Sequence, residues 1–471
     1  MVPGSVYRVS SLPRSTPEAQ GLSAAALDAF IGALDASEQE IQTLILVRHG
    51  HVVLEAEWSP YRLTDPHFLF SLSKSFTSTA VGLAVDAGLL TVDDKVVSFF
   101  DGELPEKISD NLAAMRIRDL LTMTTGHHED TFPQMRGAEM TRTFFGFDVE
   151  HEPGTYFVYN TGATYILAVI LQKLTGELLL DYLKPRLLEP LGATEASWEV
   201  TPEGVNTGGT GLSLNTESLA NFGQLLLQKG QWEGRRLVPA EWIAAATSGQ
   251  VSNDNQENPD WKQGYGFQFW QGRHGTYRGD GAFGQYCVVF PDQDAVLVLT
   301  STSPDMQEVL NLVWEHVLPA LEGATVPDAV APKALEILPP SGPAPAGGDG
   351  RTSRFEPNRA GLVAVRLDPD GTGTFTVQND SLTSPVETAP GATYDVVCAP
   401  GDWREAADGS PAGRLLTSAY GDGDAFVATL RYVATPYVAT LSCRPEGDAL
   451  IVDCKFNVSF GPTAFTLTAH A

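Results

Sequence analysis

Between residues 67 and 87 apolar positions recur at Leu72, Phe76, Ala80, Leu83, Ala84 and Ala87. These intervals of three and four predict a helix that buries one stripe. The same period predicts a helix capped by Ser23 and running from Ala24 to Leu34. It predicts others over Ile117–Met123, over Thr164–Leu174 before Thr175-Gly176, and over Thr216–Gln228. Strands are expected where apolar residues run together or alternate. Thr43–Val47 and Val52–Trp58 form a hairpin about Arg48-His49-Gly50-His51, residues 264–270 form a further strand, and Gln285–Ser301 folds back about Pro291-Asp292-Gln293. Strands at both ends with helices between them predict an α+β domain, an antiparallel sheet supplied by both ends with a helical layer inserted.

Beyond that domain the pattern changes. From Leu338 to Gly350 the chain is rich in Pro, Gly, Ala and Ser, and Pro339, Pro340, Pro343 and Pro345 predict a semi-rigid linker over 338–353. Helical periodicity then disappears. Short alternating runs at Leu362–Leu367, Thr374–Gln378, Tyr394–Val397, Phe426–Val433, Val438–Cys443, Leu450–Phe456 and Ala464–Leu467 are separated by turns such as Asp368-Pro369-Asp370-Gly371. They predict an all-β domain over 354–471, a lipocalin-like barrel or a sandwich. With 1–337 as the α+β domain, this division suits a chain of 471 residues.

Composition narrows the partners. A net charge of −28 repels phosphate backbones and anionic lipid, so neither nucleic acid nor a membrane surface is expected as a partner. No apolar run approaches the ~20 residues of a membrane span. Met1–Arg14 lacks the basic start and apolar stretch of a secretory signal, so a cytoplasmic location is expected, with a trimmed secreted form as the alternative. Cys287, Cys398, Cys443 and Cys454 form no C-x-x-C pair. Cys443 and Cys454 lie asymmetrically about Glu446-Gly447-Asp448, and all four read as thiols of a reducing compartment. His127-His128-Glu129-Asp130 has the residue types of a metal site but not the spacing. It reads as a polar loop near a cleft, and neither metal nor cofactor is expected.

The candidate chemistry lies at the start of the first helix described. Ser71 and Lys74 are one turn apart and share a face. A serine hydroxyl becomes nucleophilic when a base takes its proton, and a lysine is such a base only when its amine is neutral. Burial at a helix start favours that state. Taken alone, the same four residues more readily describe a capping serine with a surface lysine.

Two further stretches change the weighing: Pro153-Gly154-Thr155-Tyr156-Phe157-Val158-Tyr159-Asn160-Thr161-Gly162 and Tyr277-Arg278-Gly279-Asp280-Gly281-Ala282-Phe283-Gly284-Gln285. With Ser71-Leu72-Ser73-Lys74, and with Leu120–Gly126 and Glu189-Pro190-Leu191-Gly192 in support, residues 15 to 325 resemble the serine β-lactamase-related family. That family holds class C β-lactamases, D-alanyl-D-alanine carboxypeptidases, esterases of the same fold and aminohexanoate-oligomer hydrolases. The resemblance implies Ser71 as the acylated nucleophile, Lys74 as its proton acceptor, and Tyr159 as a group that shares the base role and returns a proton to the leaving group. Acting as a phenolate, Tyr159 would need nearby cations to bring its pKa below ~10. The resemblance further implies an oxyanion hole from the backbone N–H groups of Ser71 and of Ala282, placed on the edge strand after Gly281. Gly279 and Gly281 suit a strand closely approached by substrate backbone.

The chain departs from the family pattern twice. Thr161 stands at the Asn of Y-x-N, with Asn160 expected to substitute from the next position. The third motif reads Gly279-Asp280-Gly281, without the usual cation that grips a substrate carboxylate. Strand alternation is expected to turn Arg278 away from the face of Asp280, and Asp280 to favour an amine or a neutral polar group. The expected activity is therefore hydrolysis of a small ester, amide or peptide through Ser71. A penicillin-binding D-Ala-D-Ala-type peptidase or β-lactamase is one alternative, and a non-catalytic binding or sensor protein is another. The β domain is expected either to narrow the cleft or to mediate homo-oligomerisation.

Overall fold

Seven consecutive buried residues inside Glu40–Arg48 place that strand in the middle of a sheet. The computed structural model describes residues 12–324, 335–378, 393–406 and 413–470. The first eleven positions, read above for a targeting signal, lie outside the described residues. Helix α1 (Ala24–Ala36) carries the Ser23 cap. It leads into β1 (Glu40–Arg48) and β2 (His51–Glu57), paired antiparallel. After α2 (Ser73–Asp86), α3 (Thr161–Thr175) and α4 (Thr216–Leu227), the chain returns as β3 (Trp270–Gln271), β4 (Tyr277–Gly281), β5 (Gln285–Phe290) and β6 (Ala295–Thr302). The sheet order is β2-β1-β6-β5-β4-β3, so both ends of the domain supply one sheet with the helices between them in sequence. This is the α+β arrangement that the sequence predicts, the one implied by the β-lactamase-related resemblance.

Two expectations are corrected. Residues 264–270 do not form a strand. Gly264 and Gln268 have positive φ, and the Gln268 side chain donates to the Leu120 and Leu121 carbonyls. Only Trp270–Gln271 remains to pair with β4. Nor does α2 bury a single stripe: every residue from Ser73 to Gly82 is buried. Three of its hydroxyls find partners outside the helix. Ser73 Oγ accepts from Leu212 N, Ser75 Oγ donates to Gln268 O, and Thr77 Oγ1 donates to Gly208 O. A polar helix is thus buried by serving as the anchor of the surrounding loops.

The second unit comprises Trp58–Tyr61, Thr302–Pro304 and the chain from Leu335 onward. Its strands form two antiparallel sheets, one of four strands (Thr352–Arg354, Leu362–Leu367, Gly373–Gln378, Thr393–Cys398) and one of six from Arg404–Glu405 to Ala464–His470. Phe375 of the first meets Phe426 of the second, with ring centres 6.2 Å apart. The two short segments from the earlier sequence are bound in by hydrogen bonds. Arg431 donates to the Tyr61 hydroxyl at 2.8 Å, Thr302 Oγ1 donates to Pro436 O at 2.7 Å, and Ile337 N donates to Ser59 O at 2.6 Å. The Pro-rich stretch runs along this unit through Gly421 N to Pro343 O and Gly350 N to Leu367 O. All four cysteines are buried free thiols. Cys443 lies opposite Val452 and Cys454 opposite Leu441, so the two are not cross-strand partners. Among the described residues no single helix is long and apolar enough to cross a membrane.

Candidate active site

The approach to Ser71 is a forced turn. Phe68 pairs with Ser213, and Leu69 N donates to Leu212 O. Phe70 then adopts a left-handed φ of 47°, which is costly for a residue with a side chain. Edge contacts to Phe68 and Phe283, at 4.6 and 5.5 Å, hold its ring there. Phe70–Leu72 forms one 3-10 turn, and α2 begins at Ser73. Ser71 is thereby half-buried on the turn immediately ahead of the helix.

Lys74 is 1% exposed. Its Nζ donates to Ser71 Oγ at 2.9 Å, to Gly209 O at 2.8 Å and to Thr161 Oγ1 at 3.2 Å. Burial pushes the amine down to about 7, against the opposing pull of the Asp130 and Asp280 carboxylates. A substantial neutral fraction therefore exists at neutral pH, as a general base requires.

Tyr159 completes the group. Its loop is tied to Met123 by Val158 N to Met123 O. Its ring lies under Lys74 Nζ, with 4.7 Å between the nitrogen and the ring centre. Its hydroxyl lies beside Ser71, whose side chain favours the phenol's charged form slightly against the larger opposing effects. The structure thus brings Ser71, Lys74 and Tyr159 together. The phenolate form is not favoured here. Burial, and after it the negative charge of Asp280, raises the Tyr159 pKa. Tyr159 keeps its proton.

Asn160 does not take the place of the family asparagine. It is fully buried as the N-cap of α3, and its Oδ1 accepts from Thr131 N, Thr131 Oγ1 and Ala163 N. The contact with Lys74 is made by Thr161, the residue at the motif position itself. Asp130, seen in the sequence only as part of a polar loop, accepts from Thr161 N at 2.9 Å and lies near enough to act on Lys74. Among the described residues no three His, Cys, Asp or Glu side chains converge as a metal site would require.

The third motif also differs from expectation. Arg278 and Asp280 are two residues apart on β4 and therefore share a face. Arg278 Nε donates to Asp280 Oδ2 at 3.0 Å, with both side chains buried. Asp280 is committed to this pair and is not an open docking point for an amine. Burial still lifts its carboxyl above the usual range, with Arg278 pulling it back. Gly279 and Gly281 serve packing within the domain. A Cβ at Gly281 would fall on the Leu69 carbonyl oxygen, and one at Gly279 would lie 2.6 Å from Ser75 Oγ. Ala282 sits in the turn between β4 and β5, not on an edge strand. Sheet order places β3 outside β4.

A buried lysine bonded to a serine on a helix-initiating turn, with a phenol beside the same serine, is an arrangement that serine acyl transfer could use. Residues 27–321 match the Beta-lactamase family, and the chain belongs to it, with an added C-terminal β-sheet region. It is similar to the 6-aminohexanoate-dimer hydrolase of Paenarthrobacter ureafaciens, 25% identical over 64% of this chain and 84% of that protein. It is also similar to the lovastatin esterase of Penicillium rubens, 25% identical over 31% of this chain and 43% of that protein. Among solved structures, the octameric penicillin-binding protein homologue from Pyrococcus abyssi superposes with a TM-score of 0.53 at 15% identity. That match covers 88% of this chain and 97% of the other.

Proposed function

We propose that this chain hydrolyses carboxylic esters or small amides through an acyl-enzyme on Ser71. The observation that carries the reading is the Lys74 amine, enclosed in the protein and 2.9 Å from Ser71 Oγ. Neutral Lys74 takes the Ser71 proton as Oγ attacks the acyl carbon. The backbone N–H groups of Ser71 and Ala282 are the proposed donors to the resulting oxyanion. As the tetrahedral intermediate collapses, Tyr159 gives its proton to the departing oxygen or nitrogen and regains one from the Lys74 ammonium. Water then attacks the ester on Ser71, with the same pair moving the proton in reverse, and carboxylic acid leaves. The names of the two relatives, one a dimer hydrolase and the other an esterase, support this class of substrate.

Substrates carrying the penicillin-type carboxylate fit less well. The cation nearest the third motif, Arg278, is 0% exposed and bonded to Asp280. The four buried thiols support a reducing compartment.

The test combines a fluorophosphonate probe with 4-nitrophenyl butyrate and nitrocefin. Expected are labelling of Ser71, loss of labelling in Ser71→Ala, and turnover of the ester without turnover of nitrocefin. A folded wild-type chain that takes no probe overturns the hydrolase reading in favour of a binding protein. Nitrocefin turnover at rates comparable with the ester moves the reading to a β-lactamase.

A further inference from the structure

The Arg278–Asp280 pair is difficult to explain as a device for stability. Burying two charges costs several kcal/mol each, and an apolar pair of the same volume is often as stable or more so. The pair is also incompletely satisfied, since Arg278 Nη2 is buried with no hydrogen-bond partner. Its surroundings show what it contacts instead. The guanidinium lies over the Trp261 ring, 4.7 Å from its centre, and 6.0 Å from that of Trp270. The Trp270 indole lies beside the Asp280 carboxylate and favours its charged form. The Trp270 ring is stacked on Tyr159, with centres 5.1 Å apart and planes 23° from parallel. Tyr265 closes the far side, edge-on to both rings at 4.8 and 6.3 Å.

We propose that Asp280 is a positioning residue: held by Arg278, it fixes the Trp270 indole through its N–H, and the indole in turn fixes the plane of the Tyr159 ring and so the aim of its hydroxyl. The inference rests on the acyl-transfer reading above and adds a function for the unusual aspartate of the third motif. The chain of contacts is Arg278 to Asp280 to Trp270 to Tyr159 to Ser71. Only the last two touch reacting atoms. An aromatic stack alone leaves a ring free to slide in its plane, whereas a hydrogen bond from one edge of the indole to a fixed carboxylate removes that freedom. Misplacing a reacting group by about 1 Å can cost on the order of a hundredfold in rate.

The readout follows from what Tyr159 does. A 4-nitrophenolate departs without being protonated, whereas an alkoxide must receive a proton as it leaves. A poorly aimed Tyr159 therefore penalises an ethyl ester more than a 4-nitrophenyl ester of the same acid. Trp270→Phe keeps the stacked ring and deletes only the N–H. Expected is a fall in kcat/KM, which reports the acylation step, of about 10- to 100-fold for ethyl butyrate, at least tenfold more than for 4-nitrophenyl butyrate. Asp280→Asn keeps an acceptor for the indole and deletes the charge. It is expected to spare the ethyl ester relative to Trp270→Phe. Its acid limb should also move to lower pH, because the Asp280 carboxylate no longer helps hold the proton on Lys74.

Equal losses on the two esters in folded Trp270→Phe, or no loss on either, overturn the positioning role while leaving Ser71 labelling and the hydrolase reading intact. Absence of both labelling and turnover in the wild-type chain overturns the two together. Should Asp280→Asn not fold, the Trp270→Phe comparison decides alone.

Discussion

The Lys74 amine sits over the face of the Tyr159 ring, 4.7 Å from its centre, while the same nitrogen is 2.9 Å from Ser71 Oγ. The electron-rich face of the ring attracts the ammonium. On the proposed mechanism, the proton that Lys74 takes from Ser71 is held beside the phenol that would pass it on. This arrangement orders the titrations: the amine loses its proton near neutrality and the phenol holds its own.

The first prediction concerns pH. Burial brings Lys74 to about 7, and the base form is the deprotonated one. With a neutral ester, kcat/KM should rise as pH climbs through about 7 and then level off. No descending limb from Tyr159 is expected below its ordinary value of 10, since its pKa moves upward. A stopped pH profile with 4-nitrophenyl butyrate, corrected for spontaneous hydrolysis, checks this. An ascending limb near 4 or 5 would instead assign the base to a carboxylate.

A second prediction concerns the stability cost of the base. Between about 7 and the ordinary lysine value of 10.5, the unfolded chain binds a proton at Lys74 that the folded chain does not. Stability from this group therefore rises with pH across that window, and the penalty is fully present below it. Lys74→Met should melt higher than the wild type at pH 6, by an amount on the order of a few kcal/mol, with the difference shrinking towards pH 10. The same variant should lose turnover by at least about a thousandfold. Calorimetry at the two pH values, alongside the ester assay, separates the effects.

Adjacent residues should give opposite phenotypes. Asn160→Ala removes the cap of α3 and should cost about 1 kcal/mol or somewhat more in stability, with Ser71 labelling rates within about threefold of wild type. Thr161→Val keeps the shape and removes the hydroxyl that Lys74 contacts. It should melt near the wild type and lose roughly tenfold in kcat. Labelling lost in Asn160→Ala and kept in Thr161→Val would reverse the assignment.

Gly281→Ala tests the contact between β4 and the Ser71 turn. The added methyl would occupy the position of the Leu69 carbonyl oxygen, two residues before Ser71. Either the strand or the turn must shift, so probe labelling should fall by more than about a hundredfold, with a lower Tm. Unchanged labelling would show the turn to be independent of the strand.

Much of this site was legible because its parts are local. Ser71 and Lys74 are one helical turn apart, and both hairpins announce themselves by apolar runs around turn residues. What was not legible depended on where an element begins or on contacts distant in sequence. Helix α3 starts at Thr161 with Asn160 as its cap, and a shift of one residue decides which of the two faces Lys74. Residues 264–270 carry strand-forming side chains, yet Gln268 turns its amide to the Leu120 and Leu121 carbonyls and breaks the run. The shared face of Arg278 and Asp280 follows from the two-residue period of a strand and was available from the sequence. Trp270 beneath Tyr159 was not, since 111 positions separate them and neither neighbourhood has a period that points to the other.

The membership of Trp58–Tyr61 and Thr302–Pro304 in the C-terminal unit bears on how this protein could be dissected or recombined. A chain stopped at residue 337 would keep both segments but lose Arg431 and Pro436, to which Tyr61 and Thr302 are bonded. Buried Tyr61 would also lose Leu416 and Val433, against which it packs. The appended β-sheet region is grafted at three places along the polypeptide, so removing it cleanly, or moving it onto another hydrolase, means rewriting two internal loops as well as choosing an end point.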